Sequence, residues 1–228
     1  MRSIAVIGLG TFGKTLALEL TERGAQVIAI DINKDQIEAV KESVTYAVAL
    51  NSMDQNALEG IAIKDVDLAV VCIGDDVEAN LLTTLLLKKL GIKKIWSRAI
   101  NNLQREILKT MEIDEIVSIE EQMGKTIARG LISSNVTKFI PISEGHSIAE
   151  VKIPEQYIGK SLIQLNPRKK YNVNIVGIKR YIPDITDEGE RTFREEYNDV
   201  PSPAEKLLEG DILMVAGSDI NIEKFARD

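Results

Sequence analysis

Gly8, Gly10 and Gly13 fall in "VIGLGTFGKT" with the spacing G-x-G-x-x-G, and Asp31 follows 18 residues after the last of them. The glycines come directly after a strand-like run, "SIAVIG", and open a helical one; Asp31 ends the next strand-like run, "QVIAID". In that setting the spacing is a strong signal for a bound adenine nucleotide. Gly8 permits a tight turn, Gly10 leaves room for backbone to approach a diphosphate, and Gly13 lets helix and strand pack closely. Thr11 and Phe12 lie between them at the helix start, where free amides and the positive dipole end attract phosphate oxygens. Asp31 can accept both hydroxyls of an adenosine ribose, and its charge disfavours the 2′-phosphate of NADP.

Two further strand ends point at the same crevice. "ALNSMD" sets Asn51 and Ser52 where an amide and a hydroxyl can read the adenine edge, although Asn51 serves equally well as a turn residue. "VVCIGDD" sets Ile73 and Gly74 at the region where ligands of open α/β sheets bind. Cys72, in an apolar strand, reads as an inert core residue. Catalysis finds less support. A dehydrogenase needs an acid or base beside its nicotinamide, yet the one histidine, His146 in "SEGHS", has the context of a solvated turn, and no Tyr-x-x-x-Lys pair occurs. An NAD-dependent oxidoreductase stays as the alternative to a binding protein.

The elements that must hold these residues alternate regularly. Strand-like "SIAVIG", "QVIAID", "YAVAL", "LAVVCIG", "KIWSRA" and "EIVSI" are separated by helical stretches starting near Thr11, Lys34, Asp54, Val77, Asn102 and Glu120. Short apolar strands alternating with helices predict a doubly wound parallel sheet of Rossmann type over residues 1–135. Gly24 and Gly91 mark helix ends. The stretch "ANLLTTLLLKKLG" carries an apolar arc wider than one stripe, buried on the sheet or packed on another subunit. Residues 136–228 change rhythm and predict a small α+β lobe. Within it the charged, Pro-bearing run from Tyr181 to Lys206 predicts an exposed loop or an extended hairpin.

Composition excludes several classes. A net charge of −7 argues against nucleic acid as the main partner, and one Cys with one His excludes a disulfide framework and a Cys/His zinc site. The chain enters a strand almost at once, so no secretory signal is expected, and the most apolar helical run is shorter than the ~20 residues a bilayer requires. A reducing cytoplasm fits.

In this order, "VIGLGTFGKTLALEL", "VIAIDIN", "VVCIGDDVEANLLTTLLLKKLGIKKIWSRA" and "VSIEEQMGKTIARGL" resemble the nucleotide-binding (RCK/KTN) domain of Ktr/Trk-type regulators of bacterial potassium uptake. "LNPRKKYNVNIVGIKR" and "EGDILMVAG" are similar to that family's C-terminal domain, so the resemblance covers essentially the whole chain. It implies a non-catalytic subunit, peripheral to the inner face of the membrane, that assembles as dimers and commonly as an octameric ring under a potassium channel or transporter. ATP against ADP, or NADH against NAD, would select between ring shapes; AMP-like ligands stay open. By the same resemblance Arg98 is a basic position near the nucleotide, or else a surface arginine at a strand end. Glu120 aligns with an acid that helps bind a divalent cation between subunits, or else it complements the helix dipole. Thr11 departs from the arginine that ATP-type members often carry there, and a neutral hydroxyl is the poorer partner for a γ-phosphate. Some relatives bind cyclic di-AMP at a dimer interface of the C-terminal lobe, in the segment holding Arg168, Asn174 and Ile175. A plain dimer contact is the other reading.

Overall fold

Strand and helix alternate through the first half of the chain, and every strand of that half lies in one parallel sheet. The computed structural model describes residues 2–61, 63–132, 135–186 and 189–227. The strands β1 (Ser3–Ile7), β2 (Gln26–Asp31), β3 (Tyr46–Ala49), β4 (Leu68–Val71), β5 (Ile95–Arg98) and β6 (Glu115–Val117) alternate with α1 (Thr11–Glu22), α2 (Lys34–Glu38), α3 (Gln55–Glu59), α4 (Val77–Lys89), α5 (Asn102–Thr110) and α6 (Ile119–Ile132). The sheet order is β3-β2-β1-β4-β5-β6, the doubly wound order of Rossmann folds. Its reversal point between β1 and β4 brings the ends of both strands to one crevice, as the alternating pattern predicts.

Successive residues of one strand feed opposite faces of this sheet. Val6 joins Val27, Ala29 and Ile37 in the core under α1 and α2. Ala5 and Ile7 join Ile30, Val71 and Leu87 on the other face. Both faces being covered, the strands are apolar throughout rather than alternating. Gly24, past the end of α1, holds φ +83°, the left-handed conformation that closes a helix without a Cβ penalty.

α4 buries polar side chains beside its leucines. Asn80, Thr83, Thr84 and Leu87 are buried, while Leu82 is 40% and Leu85 49% exposed. Partners for the polar groups explain their burial. Thr84 Oγ1 lies 3.0 Å from Ser97 Oγ, and Ser97 donates to Asn80 Oδ1 at 3.0 Å. Buried hydroxyls and amides cost little once paired.

The chain divides into two units, Met1–Gln122 and Met123–Asp228. The second holds an antiparallel sheet, β7 (Val136–Ser143), β8 (His146–Lys152), β9 (Asn174–Ile185), β10 (Arg191–Asn198) and β11 (Ile212–Ser218), in the order β10-β9-β11-β8-β7. The helices α7 (Leu162–Leu165), α8 (Pro167–Tyr171) and α9 (Asp219–Arg227) complete it. Phe225 of α9 sits fully buried between Tyr157, stacked at 6.1 Å, and Tyr171, edge-on at 5.3 Å. The charged run beginning at Tyr181 is built as an extended hairpin of β9 and β10 rather than a loop. His146 is exposed at the start of β8, in keeping with a solvated turn. Among the described residues no helix is long and apolar enough to cross a membrane.

Candidate functional site

The glycine turn joins β1 to α1, and its three glycines answer to different constraints. Gly8 holds φ +90°, and a Cβ there would come within 2.9 Å of Ile73. A Cβ on Gly13 would fall inside contact distance of the Gly8 carbonyl, so turn and helix can close only without it. Gly10 is different. As the N-cap of α1 it has φ −59°, which any residue adopts, and a Cβ there meets nothing within 4 Å. Nothing in the described chain requires glycine at position 10; open space lies in front of it.

Asp31 is tied to that turn. Its carboxylate accepts the Leu9 amide at 2.6 Å and the Asn33 amide at 2.8 Å, and the Gly8 amide donates to the Ile30 carbonyl at 2.8 Å. With one amide on each carboxylate oxygen, lone pairs remain for two further donors. Gly8, Asp31, Asn51, Ser52 and Ile73 line one cleft of about 340 Å³. Asn51 is exposed, and its Oδ1 accepts the Met53 amide at 3.0 Å. Ser52 is buried in the cleft floor, its hydroxyl 2.7 Å from Thr83 Oγ1. Ile32, 70% exposed, and Met53, 39% exposed, give the same cleft apolar walls. Neither residue stands out in the sequence; the signal for both is that they follow Asp31 and Ser52 at strand ends.

A second group forms around Arg98, at the end of β5. Its guanidinium is 6.0 Å from the Phe12 ring centroid, packs where a side chain on Gly74 would have to stand, and pairs with Glu120 at the start of α6. Arg98 Nε is buried without a hydrogen-bond partner among the described residues. Arg98 holds the Glu120 carboxyl below its ordinary range, so the ion pair persists at neutral pH and is lost as pH falls through that lowered value. Asn80 sets the strand ends behind this group: its Nδ2 donates to the Ile73 carbonyl at 2.9 Å and to the Arg98 carbonyl at 3.1 Å. Reading by sequence missed Asn80, because an asparagine inside an apolar helix gives no sign of two partners on different strands.

Thr11 is exposed on the first turn of α1. Among the described residues no three His, Cys, Asp or Glu side chains gather as for a metal ion, and Glu120 is closed on Arg98. A divalent cation at Glu120 therefore needs ligands beyond those the described residues bring together. In the second unit Arg168 and Ile175 line a groove of about 430 Å³ with Leu162, Pro167 and Pro203, and Asn174 is exposed beside Ile175. Cys72 is buried, which pushes its thiol up to about 12 against the weaker opposing effect of Arg98. A thiol reagent at pH 8 should label the folded protein at least ~100-fold more slowly than the chain in urea. Equal rates would show Cys72 to be accessible.

Comparison with known proteins decides the family. Residues 4–119 match the TrkA-N domain and residues 146–228 the TrkA-C domain. The chain is 34% identical over 226 residues to the Ktr system potassium uptake protein C of Bacillus subtilis (strain 168), covering 99% of this chain and 96% of that one. This chain belongs to the Ktr/Trk family of potassium uptake proteins. It is likewise 34% identical over 227 residues to the Ktr system potassium uptake protein A of the same organism, covering 100% of this chain and 96% of that one. Among solved structures this Ktr/Trk-type chain is similar to a GsuK channel bound to NAD, with TM-score 0.64 and 18% identity over 99% of this chain and 39% of that one. At that identity the likeness speaks for the fold alone, and the fold is the one the alternating pattern predicts.

Proposed function

We propose that this Ktr/Trk-type chain is the cytoplasmic, nucleotide-sensing regulatory subunit of a potassium uptake system, acting by change of shape rather than by turnover. The observation that carries the reading is Gly10, the N-cap of α1, a glycine with ordinary backbone angles where a Cβ would meet nothing within 4 Å. A diphosphate passing over that backbone supplies the reason for glycine that the chain itself lacks. The relatives' role in potassium uptake supports the system to which the switch belongs.

In this reading an adenine nucleotide lies in the cleft with its ribose on the remaining lone pairs of Asp31. The adenine rests by Asn51, Ser52, Ile32 and Met53, and the phosphates face the amides of Thr11, Phe12 and Gly13. Arg98, whose guanidinium lies 6.0 Å from the Phe12 ring centroid, is then a cation beside that turn. A phosphate that reaches Arg98 competes with Glu120 for one guanidinium, so the bound charge bears on the first turn of α6. Nucleotides that differ in their distal group, ATP against ADP or NADH against NAD, then differ in how far they displace Glu120. Such a difference in affinity between two shapes is all that can drive a population shift. The freed carboxylate, with groups from a neighbouring subunit, is a candidate ligand for a divalent cation. Residues 1–135 act as the nucleotide domain and residues 136–228 as a second ligand or dimer lobe, with cyclic di-AMP a candidate for the Arg168–Ile175 groove. Dimers, assembled into an octameric ring, pass the change to a membrane channel or transporter subunit.

A melting-temperature panel of ATP, ADP, AMP, NAD, NADH and cyclic di-AMP, with and without Mg²⁺, tests this. A ligand present at 100 times its Kd adds about 2.7 kcal/mol to the folded form, a rise well above scatter. Nucleotides carrying a diphosphate should raise the melting temperature more than AMP does. No rise with any adenine nucleotide overturns the reading.

A further inference from the structure

β9 and β10 run on past the rest of their sheet. β11 pairs with β9 only between Asn174 and Lys179, whereas β10 pairs with β9 from Ile178 to Ile185 without a break in register. The outer part is thus a two-stranded ribbon, which is marginally stable by itself in water. β10 is also the edge of the sheet, eight residues long with no proline and no bulge. Charges, prolines and bulges ordinarily blunt edges; β10 has only the charges, Arg191, Arg194, Glu195 and Glu196, so its unpaired amides and carbonyls admit only a strand of matching charge. On one face of the ribbon stand Phe193, 67% exposed, and Tyr197, 50% exposed.

The side chains of β10, RTFREEYN, complement themselves when the two-fold axis lies at Glu195. A two-fold antiparallel pairing keeps each sheet face on its own side, so residues of like parity must meet. Centred on Glu195, it sets Arg194 against the second copy's Glu196, Phe193 against its Tyr197 and Thr192 against its Asn198, each twice by symmetry. Arg194 is available: its only described ion pair is a 3.9 Å approach to Asp184 in an exposed position. Glu196 lies opposite Arg180, but that guanidinium is closed on the buried Asp211 at 2.7 and 2.8 Å. Glu195 meets its own copy at the axis, yet each carboxylate already holds Lys179 at 2.9 Å and the hydroxyls of Tyr197 at 2.9 Å and Tyr181 at 3.1 Å. Moving the axis to Arg194 would set two guanidiniums face to face.

We propose that β10 is a homotypic docking edge, pairing antiparallel with β10 of a second copy of this chain about a two-fold axis at Glu195. The two sheets then become one, aromatic pairs cover Phe193 and Tyr197, and crossed Arg194–Glu196 pairs fix the register. The pairing involves neither the nucleotide site nor its ligand.

Cysteine crosslinking of the full chain tests it. In the double variant Thr192→Cys/Asn198→Cys the two thiols are ~20 Å apart within one strand, at ~3.3 Å per residue, but adjacent between copies. Mild oxidation should give covalent dimer in the double variant and in neither single variant, because each single site also lies ~20 Å from its own copy. Adding Arg194→Glu should cut the yield at least tenfold, and adding Glu196→Arg to that should restore it. Restoration also excludes misfolding as the cause of the loss. An uncrosslinked double variant, single variants that crosslink equally, or a charge exchange that fails to restore the yield would each overturn the proposal.

Discussion

Gly13→Ala should cost the folded protein ~3 kcal/mol or more, while Gly10→Ala, three residues away, should leave stability within ~1 kcal/mol and abolish most nucleotide binding. The contrast follows from what each added methyl meets. At position 13 it runs into the Gly8 carbonyl and, 3.1 Å away, Cys72 Cβ; neither can retreat, since Gly8 is hydrogen-bonded to Ile30 and Cys72 is in the core. The helix must lift off the strand, losing the packing of Ala17 and Leu9 beneath it. At position 10 the methyl meets nothing of the protein and projects into the space assigned to the diphosphate. Urea denaturation without ligand reads the first effect, and calorimetric titration with NAD and ADP reads the second. An affinity loss of at least tenfold is expected for Gly10→Ala; unchanged affinity would move the phosphates away from this turn.

Asp31→Ala should weaken adenine nucleotide binding by about 10- to 100-fold, the worth of one or two hydrogen bonds to a charged acceptor at 1.5–3 kcal/mol each, less what water returns. Part of any loss would come from the turn itself, because the same carboxylate braces the Leu9 and Asn33 amides. Asp31→Asn separates the two contributions. Its amide oxygen still accepts from a backbone N–H, but the charge that repels a 2′-phosphate is gone. The ratio of NADP to NAD affinity should therefore rise at least tenfold in Asp31→Asn, a change that loosening of the fold alone would not produce. An unaltered ratio would place the ribose elsewhere.

The hairpin from Tyr181 onward shows how far local pattern reaches. Its charge and scarcity of aliphatics fit exposure, and the structure makes it a ribbon with most of β10 exposed. What pattern did not reveal is that the pairing is regular and leaves an open edge, since register depends on which residues oppose one another across the turn. The helix at Val77–Lys89 shows a different limit. Its leucines suggest an arc buried on the sheet or packed on another subunit; Leu87 is buried and Leu82 and Leu85 are exposed, but Asn80, Thr83 and Thr84 are buried beside Leu87. Hydrophobicity is a property of single residues, whereas the cost of burying a hydroxyl depends on a partner that here is Ser52 or Ser97, far along the chain.

By itself the amino-acid order determined the alternation of strand and helix, the parallel sheet, the glycine turn and the acid that follows it. Each of these rests on interactions between near neighbours in the chain: apolar runs, helix ends and a turn that only glycine can make. Tertiary structure alone decided that Asp31 braces Leu9, that Arg98 faces Phe12 and Glu120, and that Gly10 looks onto empty space while Gly13 does not. Those are contacts between strand ends brought together by the sheet order, and no spacing along the chain encodes a distance across it.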